Sequence, residues 1–293
     1  MAKFGRLLTA MVTPFTSDGE VAYQEAAKLA LFLIENGSDG VVVAGTTGES
    51  PVLTKEEKLK LFSVVKEAVG EKGFVIAGTG SNNTADTVAL TKKAAETGVD
   101  GVMVVTPYYN KPSQEGLYQH FKAVAEATDL PIIMYNVPGR TSVNLQPATV
   151  IRLAEFKNIC ALKEASGNLD QVAEIKRGVP ENFMIYSGDD SLILPMLAVG
   201  GCGVISVASH IAGKMIKEMI ENFFSGKVEE AAKLHLKLYP LFKAMFITTN
   251  PVPVKAALNL IGLNVGNPRL PLVPATEKEI ETIRKVMEEI GIK

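Results

Sequence analysis

The stretch Gly98–Val105 reads GVDGVMVV, with a glycine, a second glycine three residues later, and then an unbroken apolar run. The same pattern recurs as GSDGVVV from Gly37 and as GGCGVISV from Gly200. Glycine adopts the left-handed conformation with which many helices end, and unbroken apolarity is typical of a strand buried on both faces. Each copy therefore predicts a helix end that leads into a buried parallel strand.

Short apolar runs rich in β-branched residues recur at roughly the spacing of βα units in a parallel barrel. They begin at Leu7, Val41, Phe74, Val102, Ile132, Ile159, Met184 and Val204. The segments between them show helical periodicity at Lys55–Val69, Asn83–Thr97, Ser113–Thr128 and Gln146–Phe156. A doubly wound open sheet is the alternative, but the nearest string to a dinucleotide fingerprint, Gly78–Asn83, lacks its third glycine. We therefore predict a (β/α)8 TIM barrel over residues 1–224.

More chain follows the eighth run than one closing helix requires. Ile211–Phe224 is predicted to be that closing helix, and Lys227–Thr248, Val252–Ile261 and Thr276–Ile290 are predicted to be three more. Because no linker separates these segments in composition, we expect residues 225–293 to form a C-terminal helical extension packed on the barrel. A small separate helical subdomain is equally compatible with the sequence.

The composition excludes several classes of protein. The chain has 293 residues, of which 47% are hydrophobic and 21% charged, with a net charge of −2, so dominant disorder is excluded. The absence of a basic excess argues against nucleic acid as a partner. Cys160 and Cys202 form no CxxC motif and fit a reducing cytosol. Since no apolar run approaches the length of a membrane span, we expect a cytoplasmic protein without a membrane partner.

Lys163 is the most informative residue, because it lies inside the apolar run ICALK at a strand end. A lysine there can point to solvent or pair with Glu164. It can also be desolvated, which lowers the pKa of the amine and makes it a nucleophile for a carbonyl group. A third possibility is a fixed counter-charge for a bound carboxylate or phosphate.

Other polar residues follow the strands on the same rim of the predicted barrel. Tyr135 and Tyr109 are either structural or part of a hydroxyl relay that moves a proton. The loop Gly45–Ser50 is either a simple connection or a cradle of amides and threonine hydroxyls for a carboxylate. Arg140 is either solvated or grips a carboxylate. We interpret Asp189-Asp190 as a turn with an N-cap, and we predict no metal site.

Six motifs together carry a family resemblance that runs from about Gly5 to the last helix. They are AGTTGES at Ala44, VTPYYNKPSQEGLYQHF at Val105, YNVPGRT at Tyr135, LKEASGN at Leu162, SGDD at Ser187 and NPVPVK at Asn250. In order and spacing they resemble the dihydrodipicolinate synthase family of the pyruvate-dependent class I aldolases. The resemblance implies a (β/α)8 barrel with a C-terminal helical extension, assembled as a homotetramer that is a dimer of dimers.

The resemblance also implies a reaction, in which pyruvate condenses with L-aspartate 4-semialdehyde in the diaminopimelate route to lysine. No metal or dissociable cofactor is implied. Lys163 would form the Schiff base with pyruvate, and Tyr135 would move protons through Thr46 to Tyr109 of the neighbouring subunit. The remaining roles fall to residues that hold the substrates: Thr47 and the backbone at Ile205 for pyruvate, Gly188 for the pocket wall, and Arg140 for the carboxylate of the semialdehyde.

Two other functions remain to be separated from this one. An N-acetylneuraminate lyase would share the lysine and tyrosine, but such lyases typically carry Ser-Thr in place of Thr46-Thr47 and lack the arginine at Arg140. A barrel-fold sensor without activity is disfavoured by the retained catalytic set.

One departure from the family concerns inhibition by lysine. Lys55 and Lys58 stand where lysine-inhibited members often carry histidines, and Asp86 replaces a glutamate. Because added cations repel the ammonium group of an effector lysine, we predict weak or absent feedback inhibition.

Overall fold

The computed structural model describes residues 4–292 as a closed barrel of eight parallel strands with helices around it. Each strand pairs with its sequence neighbours, and β8 closes the barrel on β1. The strands are β1 (Leu7–Ala10), β2 (Gly40–Val43), β3 (Phe74–Gly78), β4 (Gly101–Val105), β5 (Ile132–Asn136), β6 (Ile159–Glu164), β7 (Met184–Ser187) and β8 (Gly203–Ser206). The prediction of a TIM barrel is confirmed, and all eight apolar runs are strands.

Helices connect the strands on the outside of the barrel and continue beyond β8. They are α1 (Tyr23–Glu35), α2 (Lys55–Val69), α3 (Thr84–Ala95), α4 (Gln114–Ala125), α5 (Pro138–Thr141), α6 (Pro147–Leu153), α7 (Leu169–Gly178), α8 (Ile193–Ala198), α9 (Ser209–Phe224), α10 (Val228–Ala244), α11 (Val252–Leu260) and α12 (Glu277–Glu289). Four helices, α1, α5, α7 and α8, were not predicted from the sequence. A start signal is missing from three of them, because α1, α5 and α8 begin without a side-chain cap.

The structure confirms the predicted helix caps and the glycine junctions before strands. Thr54 and Thr276 form complete capping boxes with Glu57 and Glu279 at the starts of α2 and α12. Gly98, like Gly37 and Gly200, has the left-handed backbone expected of the junctions that lead into strands.

The buried face of α2 is formed by Leu61, Phe62, Val65 and Val69, whereas Leu59 is only partly buried. Leu59 and Leu61 lie two positions apart, which is about 200° around the helix, so the two side chains point to opposite sides.

The core has two layers separated by the barrel wall. Side chains that point inward from the strands, including Leu8, Ile133, Ala161 and Ile205, fill the barrel interior, and the alternate side chains pack against the helices. After β8, α10 packs along α9, and α11 packs against both α9 and α12. Hydrogen bonds of Asn250 and Lys255 to the loop after β2, and of Phe15 to Val265, place the chain after residue 248 beside the carboxyl ends of β1 and β2. None of the helices within residues 4–292 has the length and apolarity needed to span a membrane.

Candidate active site

A cavity of about 340 Å³ opens at the carboxyl ends of the strands. Thr46, Tyr135 and Arg140 line it from the barrel, and Asn250 and Leu272 line it from the C-terminal extension. Function in parallel barrels resides at this end, because the loops after the strands converge there. The cavity is therefore the candidate active site.

Lys163 is buried behind the cavity, on β6 between Tyr135 of β5 and Tyr186 of β7. Its side chain is 4% exposed, and its Nζ lies 4.4 Å from the centre of the Tyr135 ring. Among residues 4–292 no carboxylate lies within ion-pairing distance of this amine. Burial lowers the pKa of Lys163 to about 8, with Asp190 acting to raise it and Arg140 to lower it. The desolvated lysine, one of the three alternatives, is thus the one that the geometry supports.

Glu164 does not pair with Lys163, because successive side chains of a strand point to opposite faces. Its carboxylate lies on the outer side of the barrel wall, where it accepts hydrogen bonds from Asn136 Nδ2, Gln171 Nε2 and the amide of Ser166. A buried carboxylate that is satisfied in this way holds β5, β6 and α7 together. The alternative of a Lys163–Glu164 pair is therefore wrong.

Tyr135 and Thr46 form a polar pair in the wall between Lys163 and the cavity. Burial raises the pKa of the Tyr135 hydroxyl, and Arg140 and a hydrogen bond with Thr46 oppose the increase. A phenol of high pKa stays protonated near neutral pH and can donate its proton, then recover it. The pair thus has the chemistry of a proton relay.

Arg140 and Tyr109 lie on the exposed rim. Arg140 lies in the short helix α5 and lines the cavity, so its charge is available to a ligand there. Tyr109 is 88% exposed and has a left-handed backbone with φ of 75°. It does not line the cavity of its own chain, so the structure brings the other predicted catalytic residues together and leaves Tyr109 apart.

Thr47, Gly188 and Ile205 do not line the cavity. Thr47 is buried, and its hydroxyl accepts a hydrogen bond from Asn250 Nδ2 at 2.9 Å. A Cβ at position 188 would lie 3.2 Å from Lys163 Cε and 2.7 Å from Ala165 Cβ, so glycine makes room for the lysine. Ile205 is fully buried in the barrel interior.

Two features beside the site, Asp190 and Lys255, were not predicted from the sequence. Asp189 is the N-cap that we predicted, and it binds Ser191. Asp190, however, is buried beside the lysine and accepts hydrogen bonds from the amides of Val207 and Ala208. Its pKa is raised by burial. No signal distinguished the two aspartates, because one carboxylate caps a turn and the other binds amides that are distant in sequence.

The C-terminal motif NPVPVK also carries a role that its sequence did not reveal. Lys255 forms a buried ion pair with Glu49, with Nζ 2.7 Å from Oε1. A lysine in an apolar helix was a signal that could have been read in the same way as Lys163. Within residues 4–292 the structure shows no cluster of three His, Cys, Asp or Glu side chains that could hold a metal ion.

A closed (β/α)8 barrel with a buried, unpaired lysine beside a tyrosine, at the carboxyl ends of its strands, defines an enzyme of the Schiff-base aldolase type. Residues 3–290 match the model of the Dihydrodipicolinate synthetase family. The chain belongs to this family.

Curated relatives and solved structures agree over almost the whole chain. The 4-hydroxy-tetrahydrodipicolinate synthase of Desulforamulus reducens is 61% identical, over 99% of this chain and 98% of the relative. That of Desulforudis audaxviator is 62% identical, over 98% and 97%. The crystal structure of the enzyme from Cyanidioschyzon merolae with lysine bound is 51% identical, with a TM-score of 0.99 and complete coverage of both chains. A monomeric dihydrodipicolinate synthase variant is 47% identical, with a TM-score of 0.96, over 99% and 98%.

Proposed function

We propose that this enzyme condenses pyruvate with L-aspartate 4-semialdehyde, with pyruvate bound as a Schiff base on Lys163. The observation that carries the proposal is the buried amine of Lys163, which has a pKa of about 8 and no carboxylate partner within residues 4–292. An amine of ordinary pKa is almost entirely protonated near neutral pH, whereas this one has a substantial neutral fraction with a free electron pair.

The first half of the reaction takes place on pyruvate. The neutral amine of Lys163 adds to the keto carbon, and loss of water gives an iminium ion, with protons supplied and taken up by the Tyr135 hydroxyl. The iminium withdraws electrons, so a proton leaves the methyl group and an enamine forms. Thr46 lies beside Tyr135 and passes the proton on toward Tyr109 of a neighbouring subunit. The Thr47 hydroxyl and the backbone at Ile205 hold the pyruvate part.

The second half joins the two substrates. The enamine carbon attacks the aldehyde carbon of the semialdehyde, and the new alkoxide takes up a proton to become a hydroxyl group. The amino group of the semialdehyde then attacks the iminium carbon, which releases the Lys163 amine and closes the ring of 4-hydroxy-tetrahydrodipicolinate. Arg140 binds the carboxylate of the semialdehyde as this happens, because its guanidinium group faces the cavity from the rim.

Trapping with borohydride tests the Schiff base. Incubation with pyruvate and borohydride should reduce the iminium and leave a stable adduct on Lys163, which peptide mass spectrometry locates. Lys163→Ala should give none. A wild-type protein that is unlabelled at Lys163 under these conditions would end the proposal.

Substrate choice is tested by turnover. We expect turnover with pyruvate and L-aspartate 4-semialdehyde and none with N-acetylneuraminate, whose cleavage would instead favour the lyase. Arg140→Met should raise KM for the semialdehyde more than KM for pyruvate, because only the former has a carboxylate at the rim.

We further propose that the enzyme is a homotetramer, a dimer of dimers, in which Tyr109 completes the site of a neighbouring subunit. The exposure of this tyrosine, 88% in the single chain, supports its burial against a partner. Refolding Tyr109→Phe together with Lys163→Ala should recover activity, since a mixed dimer has one site with both wild-type side chains. Each variant alone should be impaired. Absence of recovery, with mixed dimers demonstrated by mass, would place Tyr109 outside the partner's site.

A further inference from the structure

Two contacts reach from the C-terminal extension to the loop Gly45–Ser50, here called the hydroxyl loop. Asn250 Nδ2 donates to Thr47 Oγ1 at 2.9 Å, and Lys255 Nζ donates to Glu49 Oε1 at 2.7 Å. The two donors come from positions more than 200 residues away from their acceptors along the chain. The hydroxyl loop is thus held by a part of the protein that lies outside the barrel.

The contact at Glu49 is an unusually buried ion pair. The side chains of Lys255 and Glu49 are 1% and 2% exposed. The second carboxylate oxygen of Glu49 accepts the amide of Arg269 at 2.9 Å, and Lys255 Nζ also donates to the carbonyl of Asn267 at 3.1 Å. Both charged groups are therefore satisfied by the extension, as buried charges require.

The backbone of the hydroxyl loop needs such support. Glu49 has φ of 57°, in the left-handed region that side chains with a Cβ rarely adopt. Such a conformation persists where the surrounding structure holds it in place. The ion pair anchors the loop two residues after Thr47, at the position where its backbone is least favourable.

The contact at Thr47 leaves the hydroxyl hydrogen free. Because its oxygen accepts the Asn250 amide, this hydroxyl has one hydrogen left to donate, and within residues 4–292 it makes no other hydrogen bond. The donor end of Thr47 is therefore available to a substrate carboxylate. Asn250 is itself only 5% exposed.

We propose that Asn250 and Lys255 are positioning residues for the reaction, which act through the hydroxyl loop by aiming Thr46 and Thr47 at pyruvate. The inference rests on the proposed function, since it assigns the two threonines to the pyruvate half of the site. The C-terminal extension is then part of the catalytic apparatus. Catalytic groups must be held to within about half an ångström, which is the reason that a loop of this kind needs outside support.

A double-mutant cycle tests the Asn250 arm. Asn250→Ala should raise KM for pyruvate and slow borohydride trapping about tenfold, the effect of losing one buried hydrogen bond. The same loss should appear in a Thr47→Ser background, which keeps the hydroxyl. It should vanish in Thr47→Val, which has none. An equal loss in Thr47→Ser and Thr47→Val would overturn the inference, because Asn250 would then act without the hydroxyl.

Removal of the ion pair tests the Lys255 arm. Lys255→Met leaves Glu49 buried and uncompensated, so that variant is expected to unfold more readily. The double variant Glu49→Gln/Lys255→Met removes both charges and should recover most of the stability. We expect its trapping rate to remain about tenfold below wild type at equal folded fraction, since the loop has lost its anchor. A folded double variant with wild-type kinetics would overturn the inference.

Lys66 and Asp100 provide a control ion pair at the opposite end of the barrel, with side chains that are 24% and 29% exposed. There, too, one carboxylate receives a lysine Nζ and a backbone amide, that of Val75, each at 2.8 Å. The variant Lys66→Met/Asp100→Asn should keep the wild-type trapping rate. If its trapping rate fell as much as that of Glu49→Gln/Lys255→Met, the positioning role of Lys255 would be contradicted.

Wild-type trapping separates this inference from the proposed function. If the wild-type enzyme forms no adduct on Lys163, the proposed function fails. If the wild-type enzyme forms the adduct, and the Asn250 and Lys255 variants are trapped at the wild-type rate, only the positioning inference fails.

Discussion

Lys163 owes its lowered pKa to desolvation by the barrel interior, and the two charges near it act in opposite directions. Asp190 raises the pKa and Arg140 lowers it. Arg140 lies on the exposed rim, where solvent weakens its influence, while Asp190 is buried. The pKa of the amine is therefore set mainly by its burial in the barrel interior.

This balance predicts the pH dependence of Schiff-base formation. The trapping rate should rise with pH as the amine loses its proton, and level off above a midpoint near pH 8. Arg140→Met removes the charge that lowers the pKa, so its midpoint should move to higher pH. Asp190→Asn should move it to lower pH. If the two variants shifted the pH midpoint in the same direction, or each in the direction opposite to that expected, the opposing effects of Arg140 and Asp190 on the pKa of Lys163 would be contradicted.

Gly188 gives a prediction based on space. In Gly188→Ala the new methyl group would lie 2.7 Å from Ala165 Cβ and 3.2 Å from Lys163 Cε, so the lysine must shift. We expect trapping to slow at least tenfold, with a loss of about 1–3 kcal/mol in the free energy of unfolding. Gly139→Ala is the control on the same rim, because a Cβ there would meet nothing within 4 Å. Comparable trapping rates in the two variants would refute the steric argument.

At the scale of elements, α2 and α3 begin beside the site and present their first turns to solvent. Lys55 of α2 pairs with Asp86 of α3, with Nζ 2.8 Å from Oδ1 and both side chains about half exposed. Burial lowers the pKa of the neighbouring Lys58, and the charge of Lys55 adds to the effect. Two cations thus stand close together on one face of α2.

These charges carry the prediction about feedback. Free lysine should inhibit weakly, with a half-maximal concentration in the millimolar range or above, because its ammonium group meets like charge. Lys55→His/Lys58→His should increase sensitivity in a steady-state assay at pH 8, where histidine is neutral. Strong inhibition of the wild-type enzyme by lysine below millimolar would show that the cations do not govern the response.

At the scale of the whole molecule, buried neutral histidines link barrel to helices. His210 accepts the amide of Val12 through Nε2 and donates from Nδ1 to the carbonyl of Val207, so it joins the ends of β1 and β8. Burial lowers the pKa of His210 to about 4, and does the same for His120 of α4, whose Nδ1 lies 2.9 Å from the hydroxyl of Thr84 in α3.

Stability should therefore fall on mild acidification. Below about pH 6.5 the unfolded chain takes up protons at these histidines and the native protein does not, until the pH approaches 4. Each histidine should cost about 2 kcal/mol between pH 7 and pH 5. Urea unfolding at the two pH values measures this, and His120→Gln should show a smaller decrease than wild type. An unchanged decrease would mean that His120 is not a source of the acid sensitivity.

The barrel was predictable because its signals are local. An apolar run such as IIMY identifies a buried strand whichever strands lie beside it. The Thr54–Glu57 capping box satisfies backbone amides within a single helical turn. α1 was not predicted because it lacks such a local signal: it begins without a side-chain cap. The candidate residues Lys163, Tyr135, Thr46 and Arg140 were identified because each follows or ends a strand.

Only the tertiary structure decided the environment of Lys163 and the support of the hydroxyl loop, because both depend on contacts between positions that are distant in sequence. The sequence by itself determined the positions of the strands, the helix caps and a lysine at a strand end, each of which rests on neighbours within a few residues. Whether that lysine was paired with Glu164 depended on which face of β6 each side chain takes, and on Asp190 from the loop after β7. The support of the hydroxyl loop by Asn250 and Lys255 spans some 200 residues. Burial and electrostatic coupling act through space, so they exist only once the chain has folded.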